Sequence, residues 1–426
     1  MRTDIPEASR ADAAVRDAEA VLRTCVHCGF CNATCPTYLL TGNELESPRG
    51  RIYLLKNLLE ENITASAATA SHFDNCLGCL SCETTCPSGV GYAELLDLGR
   101  PLIEGQHRRP VLDRLQRALL TRLLPDPARF RRALRMGVFA RRFSALLPGR
   151  LRRLARMAPT RMPTPARLTA RGLYPAAGER RLRVVLLPGC AQSVVGGPIN
   201  DAAIRVLTRC GADVIVPESV TCCGSLPFHM GERVHSRRHM EGAVDGWHAL
   251  IEDGIDAIVL TTSGCATAVR DYGRIFAGSP RAAAAALVSE RTRDVSQILA
   301  QLGLGDTIAL PHLRVAYHDA CSMQHGLRLP NEPRQLLRDA GFDLLEVPEG
   351  HICCGSAGTY NMLRPDMAGP LQRRKADHIE SLRPDLVAAG NIGCIEQISP
   401  AISYPVVHTI ELLDWATGGP RPEALP

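Results

Sequence analysis

The sequence predicts a multidomain protein, in which a mainly α-helical N-terminal module precedes two α/β lobes that repeat each other and contain parallel sheets. Two observations support this fold class. A pair of nearly identical cysteine runs occupies the first quarter of the chain, and an internal repeat occupies its second half. The predicted boundaries are 1–99 for the N-terminal module, 100–182 for an arginine-rich helical linker, 183–310 for the first lobe and 311–426 for the second lobe.

Eight of the 17 cysteines form two runs with the spacing C-x2-C-x2-C-x3-C-P, and each cysteine of the second run lies 51 residues after its counterpart. The first three thiolates of such a run reach three irons of one cubane, whereas the fourth, which precedes proline, ligates the other cluster. The sequence therefore predicts two 4Fe-4S clusters. We assign the first cluster to Cys25, Cys28, Cys31 and Cys86, and the second to Cys76, Cys79, Cys82 and Cys35.

Two other uses of these cysteines are a structural zinc site and a thioredoxin-like redox pair. Zinc sites take their ligands as two separated pairs, whereas here three cysteines stand in one tight run, twice. The histidine between two ligands of the first run, His27, is expected to shape the surroundings of the cluster and not to bind it. We therefore favour iron–sulfur binding.

A helix is expected between the two cysteine runs. In the stretch ESPRGRIYLLKNLLEEN, Ser47 is a suitable N-cap and Pro48 a suitable first helical residue. Apolar residues follow at helical spacing, at positions 52, 54, 55, 58 and 59. This pattern favours a helical ferredoxin-like module with two clusters over the compact β-type ferredoxin.

The internal repeat pairs RVVLLPGC, which ends at Cys190, with RVAYHDAC, which ends at Cys321. The next matched cysteine follows 32 residues later in both copies, and the last one 43 or 41 residues after that. Short aliphatic runs (VVLL, VIV and AIVLT, then VAY, LLEV and DLVAA) alternate with helical patterns, which indicates parallel sheets covered by helices. Cys210 faces Ala340 in the other copy and is expected to be a packing residue.

The repeated cysteines follow predicted strands, and open α/β sheets build ligand sites at the carboxyl ends of their strands. Adjacent cysteines can reach different irons of a cluster, and the glycine after each pair allows the turn. The alternative is a set of buried structural cysteines. The candidate ligands of one or two further iron–sulfur clusters are Cys190, Cys222, Cys223 and Cys265 in the first lobe, and Cys321, Cys353, Cys354 and Cys394 in the second.

Charge is concentrated in one segment. Between Arg100 and Arg183 there are 22 arginines and four acids, a net charge of +18, although the whole chain carries only +5. The stretches LDRLQRALLTRLL and FRRALRMGVFARRFSALL are apolar on one face and basic on the other, as in helices that lie on a surface. They could lie on anionic lipid, dock on an acidic partner, or form a plain solvated hairpin between domains.

The rest of the composition is that of a globular protein of the cytoplasm, with 45% hydrophobic residues. No run of about 18 apolar residues is present, and the N-terminal stretch lacks the apolar core of a secretory signal. A reducing compartment favours cysteines as ligands and not as disulfide staples. We expect a cytoplasmic protein, with peripheral attachment to the inner face of the cytoplasmic membrane if the basic helices bind lipid.

These motifs together resemble the iron–sulfur subunits of bacterial glycolate oxidase (glycolate dehydrogenase) over nearly the whole chain. The most specific matching pieces are VHCGFCNATCPTYLLTG, CETTCPSGV, CCGSAGTY and AGNIGC. The repeated cysteine-rich (CCG) domains also resemble subunits of heterodisulfide reductase, anaerobic glycerol-3-phosphate dehydrogenase and lactate-utilisation proteins. In the heterodisulfide-reductase pattern each repeat ends in a fifth cysteine, but here Ala268 and Gln397 stand at those positions, which excludes five-thiolate ligation.

The resemblance implies a helical ferredoxin module fused to two CCG domains, working beside a flavoprotein subunit that carries FAD. The chain has no G-x-G-x-x-G after a predicted strand and no P-loop, so we expect no hydride chemistry and no catalytic residue in it. We predict an electron-transfer subunit of an oxidoreductase acting on CH–OH groups. It passes electrons singly from the partner flavin toward a quinone or other acceptor as glycolate is oxidised to glyoxylate.

Three alternatives stay open at this stage. The chain could serve a heterodisulfide-reductase-like, lactate or glycerol-3-phosphate dehydrogenase complex in the same role. The lobes could themselves turn over a substrate, with His318 or His351 as the proton donor, although both are expected to be ordinary loop histidines. A nucleic-acid-binding sensor ranks last, because the arginines lack interleaved aromatic residues and no recognition motif is present.

Overall fold

The computed structural model describes residues 1–168, 171–218, 220 and 222–425. Its N-terminal module is helical, as predicted. The helix between the cysteine runs begins where the sequence indicated, because the Ser47 hydroxyl accepts a hydrogen bond from the Gly50 N–H at 3.0 Å and Pro48 occupies the first turn. The helices of this module are α1 (Ala13–Thr24), α2 (Pro36–Thr41), α3 (Pro48–Leu59), α4 (Ala67–Asp74), α5 (Ser81–Thr85) and α6 (Tyr92–Gln106).

The arginine-rich segment forms the two amphipathic helices that the sequence predicted, and a third. They are α7 (Val111–Leu123), α8 (Pro127–Arg141) and α9 (Gly149–Met157). The proline-dotted piece that follows was predicted to be a linker, and its residues 169 and 170 lie outside the described part of the chain. It nevertheless contributes a short strand, β1 (Gly172–Tyr174), to the sheet of the first lobe.

The first lobe is a five-stranded sheet flanked by helices, with strand order β1-β3-β2-β4-β5. All its strand pairs are parallel except β1 with β3. After β1, its elements are β2 (Leu182–Leu187), α10 (Gln192–Val195), α11 (Gly197–Arg209), β3 (Ala212–Val216), α12 (Ser225–His229), α13 (Arg233–Glu252), β4 (Ala257–Leu260), α14 (Ser263–Arg270), α15 (Tyr272–Ile275), α16 (Ala282–Arg291), β5 (Thr292–Asp294) and α17 (Val295–Leu302).

The second lobe is a four-stranded parallel sheet with strand order β7-β6-β8-β9. A π-helical turn, 322–327, follows its first strand. The other elements are β6 (Arg314–His318), α18 (Glu332–Asp339), β7 (Asp343–Glu346), α19 (Tyr360–Leu363), α20 (Pro365–Leu382), β8 (Leu386–Ala389), α21 (Ile392–Ile398), β9 (Val406–His408) and α22 (Thr409–Ala416).

The strand orders confirm the predicted repeat, since β3-β2-β4-β5 of the first lobe corresponds to β7-β6-β8-β9 of the second. The sequence did not predict the last strand of each lobe. These strands have three residues each, and the TRD of β5 is too polar to read as a buried run. These short segments are strands because each pairs with a parallel neighbour, β5 with β4 and β9 with β8.

The cysteine-bearing ends of the two lobes face each other. The Ser263 and Ser322 hydroxyls lie 2.7 Å apart, and the Asn391 amide donates to both, at 3.1 and 3.3 Å. Helix α22 of the second lobe also packs against α11 of the first, where buried Asp414 accepts a hydrogen bond from Arg205 at 2.8 Å. These contacts make the lobes a single support for the sites between them.

The N-terminal module contacts both lobes. The Tyr360 hydroxyl of the second lobe donates to the Asn75 carbonyl at 3.0 Å, one residue before the second cysteine run. Arg274 of the first lobe forms an ion pair with Asp97 at 2.6 Å. Among the helices that the structure describes, none is both long enough and apolar enough to cross a membrane.

Candidate metal centres

A first cavity lies at the edge of the N-terminal module. Its volume is about 430 Å³, counted out to its open mouth. Cys25, Cys28 and Cys31 of the first run line it, together with Cys86, the last cysteine of the second run. The four residues that the sequence assigned to the first cluster therefore line one space.

A second cavity of about 310 Å³ lies deeper in the module. It is lined by Cys76, Cys79 and Cys82 of the second run and by Cys35 of the first. Cys82 also borders the first cavity, so the two spaces adjoin. Their lining residues match the crossed ligand sets, although the ligation itself stays a prediction.

The backbones of the two cysteine runs take the same shape. The second residue after the first cysteine has a left-handed conformation in both, with φ 60° at His27 and 63° at Gly78. The same holds two residues later, with φ 85° at Gly29 and 62° at Leu80. A side chain in this region costs about 1–3 kcal/mol, so each run accepts one strained residue to keep the loop. His27 thus has a conformational role, which fits the expectation that it is not a ligand.

A buried arginine borders the second cavity. Arg51 is 1% exposed, and its guanidinium donates to the carboxylate of Glu46 at 2.7 Å and to the hydroxyl of Thr37 at 3.1 Å. Burial works against its charge, yet the neighbouring Tyr92, Cys76 and Cys35 raise the pKa of Arg51 above its usual value. The site therefore holds a permanent positive charge beside its thiols.

The described cysteines are all free of disulfide bonds, and several of their thiols are deeply buried. Burial raises the pKa of Cys31 to about 11 and the pKa of Cys79 and Cys82 well above the usual value. Buried thiols with no disulfide partner, lining a cavity beside a guanidinium, fit iron–sulfur clusters. Binding then releases the thiol protons, because the thiolate is the ligand.

The second lobe brings its four cysteines together with a histidine. The Sγ atoms of Cys321 and Cys353 lie 3.8 Å apart. The Sγ atoms of Cys354 and Cys394 and a ring nitrogen of His318 all lie within 4.8 Å of one another. His318 is the last residue of β6 and is buried, so the expectation of a loop histidine was wrong for it. Burial, reinforced by Lys375, lowers the pKa of His318 to about 3, which keeps the ring neutral.

The first lobe also gathers its four cysteines. The Cys222 side chain is hydrogen bonded to Cys190 and Cys223, and the Cys223 side chain is hydrogen bonded to Cys265 as well. These hydrogen bonds lower the pKa of Cys223 and raise those of Cys222 and Cys265. Cys210 lies apart, in the core of the lobe with its Sγ 3.8 Å from the Leu304 carbonyl, as expected for a packing residue.

The glycine after each cysteine pair does more than allow a turn. Gly224 and Gly355 have φ of 71° and 91°, and each N–H donates to the first sulfur of its pair, at 3.4 and 3.5 Å. A Cβ at Gly355 would lie 2.7 Å from the Ala368 carbonyl oxygen, in the helix that follows. The sequence predicted the turn but not this close packing against α20.

The second cavity adjoins the cysteines of the second lobe. Cys79 and Cys321 both pack against the apolar cluster that contains Cys353. The thiol of Cys79 is near enough to those of Cys321 and Cys353 for their charges to influence one another's ionisation. Nearby, Thr84 and His325 are hydrogen bonded at 2.7 Å, which joins α5 to the π-helical turn. His351 lies in the adjoining loop, as expected, and its carbonyl is 3.3 Å from the His325 ring.

Two protein-family models match parts of the chain. The family described as "4Fe-4S dicluster domain" matches residues 21–90, and "Cysteine-rich domain" matches residues 184–270 and 315–399. A glycolate oxidase iron–sulfur subunit of Escherichia coli (strain K12) is 38% identical over 417 residues, covering 98% of this chain and 99% of that protein. The chain belongs to the glycolate oxidase iron–sulfur subunit family.

Two further relatives have lower sequence identity to this chain. A probable glycolate oxidase iron–sulfur subunit of Bacillus subtilis (strain 168) is 29% identical, covering 94% of this chain and 95% of that protein. Lactate utilization protein A of Oceanobacillus iheyensis is 24% identical, covering 55% of this chain and 97% of that protein. These comparisons confirm the predicted resemblance and the multidomain iron–sulfur architecture.

Three residues near the candidate metal centres were not predicted from the sequence as site residues. Arg51 reads as part of an amphipathic helix, and Lys375 as part of a charged helix face. His318 stands three residues before Cys321, where the first copy of the repeat has Leu187 three residues before Cys190. For His318, this difference between the two copies was the signal in the sequence that could have indicated a site residue.

Proposed function

We propose that this chain is the electron-transfer subunit of a flavin-dependent glycolate dehydrogenase complex. It carries electrons one at a time from FAD on a partner subunit toward a quinone or other acceptor, as glycolate is oxidised to glyoxylate. The observation that carries the proposal is the contiguity of three thiol-lined sites: the two cavities share Cys82, and Cys79 of the second packs against the apolar cluster that contains Cys353 of the second lobe.

The residues that line the two cavities support the proposed ligand sets. We assign Cys25, Cys28, Cys31 and Cys86 to one 4Fe-4S cluster, and Cys76, Cys79, Cys82 and Cys35 to the other. The four thiols of each lobe are assigned to a further iron–sulfur centre. Iron–sulfur clusters exchange single electrons, at potentials set by net charge, hydrogen bonds to sulfur and solvent exposure. Arg51 borders the second cavity as one half of a buried ion pair with Glu46, at 2.7 Å.

Electrons enter, we propose, at the first cavity. Its mouth is flanked by Val26 and Phe30, which are 68% and 64% exposed, and Cys28 is also exposed. Exposed apolar side chains around a redox site are typical of a surface that contacts a partner protein. The second cavity and the lobe centres lie behind it, so this surface suits the flavoprotein subunit.

Iron and acid-labile sulfide content tests the proposal. Anaerobically purified protein should contain at least about eight irons and eight sulfides, the content of two 4Fe-4S clusters. Centres in one or both lobes should raise this to about twelve or sixteen if each holds four irons. Stoichiometric zinc without labile sulfide would remove the basis of the assignment.

The arginine-rich segment presents an exposed face that is apolar as well as basic. Its buried face holds Arg117, whose guanidinium pairs with Asp74 at 3.0 Å, two residues before the second cysteine run. Its exposed face carries Val111, Leu112, Leu115 and Leu119 of α7 and Met136 and Phe139 of α8. We propose that this face, the docking face, lies on an anionic membrane, because exposed apolar side chains among arginines match an interfacial helix.

Vesicle binding tests the docking face. The protein should sediment with phosphatidylglycerol vesicles more than with phosphatidylcholine vesicles, and less so in high salt. The double variant Leu112→Asp/Leu115→Asp should bind at least about tenfold more weakly, because each leucine contributes about 1.5–3 kcal/mol when fully buried. Val234→Asp is the control, since Val234 is even more exposed than the two leucines but lies on α13 of the first lobe.

Each outcome of the vesicle experiment has a defined meaning. Loss of binding in the double variant with retention in Val234→Asp supports the membrane role. Equal binding by the double variant and the unaltered protein returns the segment to a plain hairpin between domains. Normal vesicle binding combined with lost assembly with the flavoprotein would assign the face to that partner instead.

A further inference from the structure

We infer that His318 is a nitrogen ligand of the second-lobe centre and binds its iron alongside the thiolates of Cys354 and Cys394. This inference rests on the proposed iron–sulfur content of the lobe. It gives the second lobe one imidazole and four thiolates, whereas the first lobe offers four thiolates.

The first support is the position of the ring. His318 ends β6, so its side chain emerges at the carboxyl edge of the sheet, where the cysteines gather. A ring nitrogen and the two sulfur atoms lie within 4.8 Å of one another, close enough to share one metal centre. Its position is therefore that of a ligand.

The second support is the lack of any other partner. His318 is 1% exposed, and in the described part of the chain neither of its ring nitrogens has a hydrogen-bond partner. A buried polar group left without a partner destabilises the folded protein. An iron atom would satisfy one of these nitrogens.

A second buried histidine shows what a structural histidine looks like in the same sheet. His408 ends β9, and Ala389 pairs with His318 on one side and with His408 on the other. His408 is equally buried, but its Nε2 donates to the Thr261 carbonyl at 2.9 Å and its Nδ1 accepts from the Ile410 N–H at 3.1 Å. His318 lacks such partners and instead lies within 4.8 Å of the sulfur atoms of Cys354 and Cys394.

The internal repeat provides the third support. The position of His318 is occupied in the first lobe by Leu187, which is buried in the core of that lobe. The two lobes thus share their four cysteines but differ at this residue. Gln397, which stands where a fifth cysteine ends the related pattern, accepts a hydrogen bond from Asn361 at 2.9 Å, so its oxygen is engaged elsewhere.

A histidine ligand would set the second-lobe centre apart in potential. Imidazole is a neutral donor, so the centre should have a higher potential with histidine at this position than with a thiolate there. The variant His318→Cys therefore has an expected sign, a lower reduction potential of the second-lobe centre.

Pulsed electron paramagnetic resonance on protein labelled with 15N-histidine tests the inference. The unaltered protein should show one strong 15N coupling, which His318→Leu abolishes because leucine is the residue of the first repeat. His408→Leu is the matched control and should retain the coupling. His318→Cys should keep the iron, lose the coupling and lower the reduction potential of the centre.

The outcomes separate this inference from the function on which it rests. The variant Cys354→Ser shows which iron belongs to the second lobe. It should lose that iron while the electron paramagnetic resonance signals of the N-terminal clusters persist. If that iron is present and the unaltered protein shows no strong 15N coupling, His318 is not a ligand, and the electron-transfer proposal stands. If Cys354→Ser loses no iron, the lobe has no iron centre, and both this inference and that part of the proposed function fail.

Discussion

In the assembled complex, Cys79→Ser is expected to leave the reduction of flavin by glycolate intact in a single turnover. It should slow reoxidation of the flavin by the physiological acceptor by about a hundredfold or more. Substitution of residues that only hydrogen bond to a metal ligand already lowers metal affinity or activity about 10–100-fold, and Cys79 is a proposed ligand itself. The two steps separate because substrate oxidation needs only the flavin, whereas reoxidation needs every centre on the route. Cys79 is the proposed ligand that lies nearest the second lobe, since it packs, like Cys321, against the apolar cluster that contains Cys353.

The matched control for this experiment is Cys210→Ser, which alters a buried cysteine of the first-lobe core outside the proposed ligand sets. It should leave both steps near their normal rates. Artificial dyes can take electrons directly from flavin, so the physiological acceptor must be used. A Cys79→Ser complex that assembles but cannot reduce its flavin would contradict a purely electron-carrying role.

Cys35→Ser is expected to abolish the cluster built on the second cysteine run, and Cys86→Ser the cluster built on the first. The reason is that Cys35 lines the cavity of Cys76, Cys79 and Cys82, while Cys86 lines the cavity of the first run. Each variant should lose up to about four irons, the content of one cluster. Electron paramagnetic resonance of the reduced variants should show a different cluster missing in each.

The two ligand variants serve as controls for each other, because both remove the last cysteine of a run that is followed by proline. A general loss of stability would remove the same signals in both. If each change destroyed only the cluster of its own run, the crossed assignment would be wrong.

Features with a local cause were predictable from the sequence. The start of α3 follows from the capping hydroxyl of Ser47 and the fixed backbone angle of Pro48. The equal spacing from Cys190 to Cys222 and from Cys321 to Cys353 predicted two similar lobes, which the matching strand orders confirm. In both cases the pattern lies within a short stretch or a simple repeat.

Features that depend on contacts between distant segments were not predictable. Strand β1 (Gly172–Tyr174) forms only because β3 of the first lobe offers a free edge to a short piece of the linker. Arg51 became a site residue because folding places Cys35 and Cys76 around one helix. The packing of Cys79 against the cluster that contains Cys353 joins residues of two domains, and no local spacing encodes it.

The central claim is that this chain receives electrons from a flavoprotein and does not take them from the substrate. The most direct measurement mixes the oxidised chain, without oxygen, with flavoprotein partner previously reduced by glycolate and freed of excess substrate. The account predicts that the visible absorbance of the iron–sulfur centres bleaches as the flavin reoxidises, and that glycolate alone leaves the isolated chain oxidised. Bleaching of the isolated chain by glycolate, or persistence of its absorbance beside reduced flavoprotein, would contradict it.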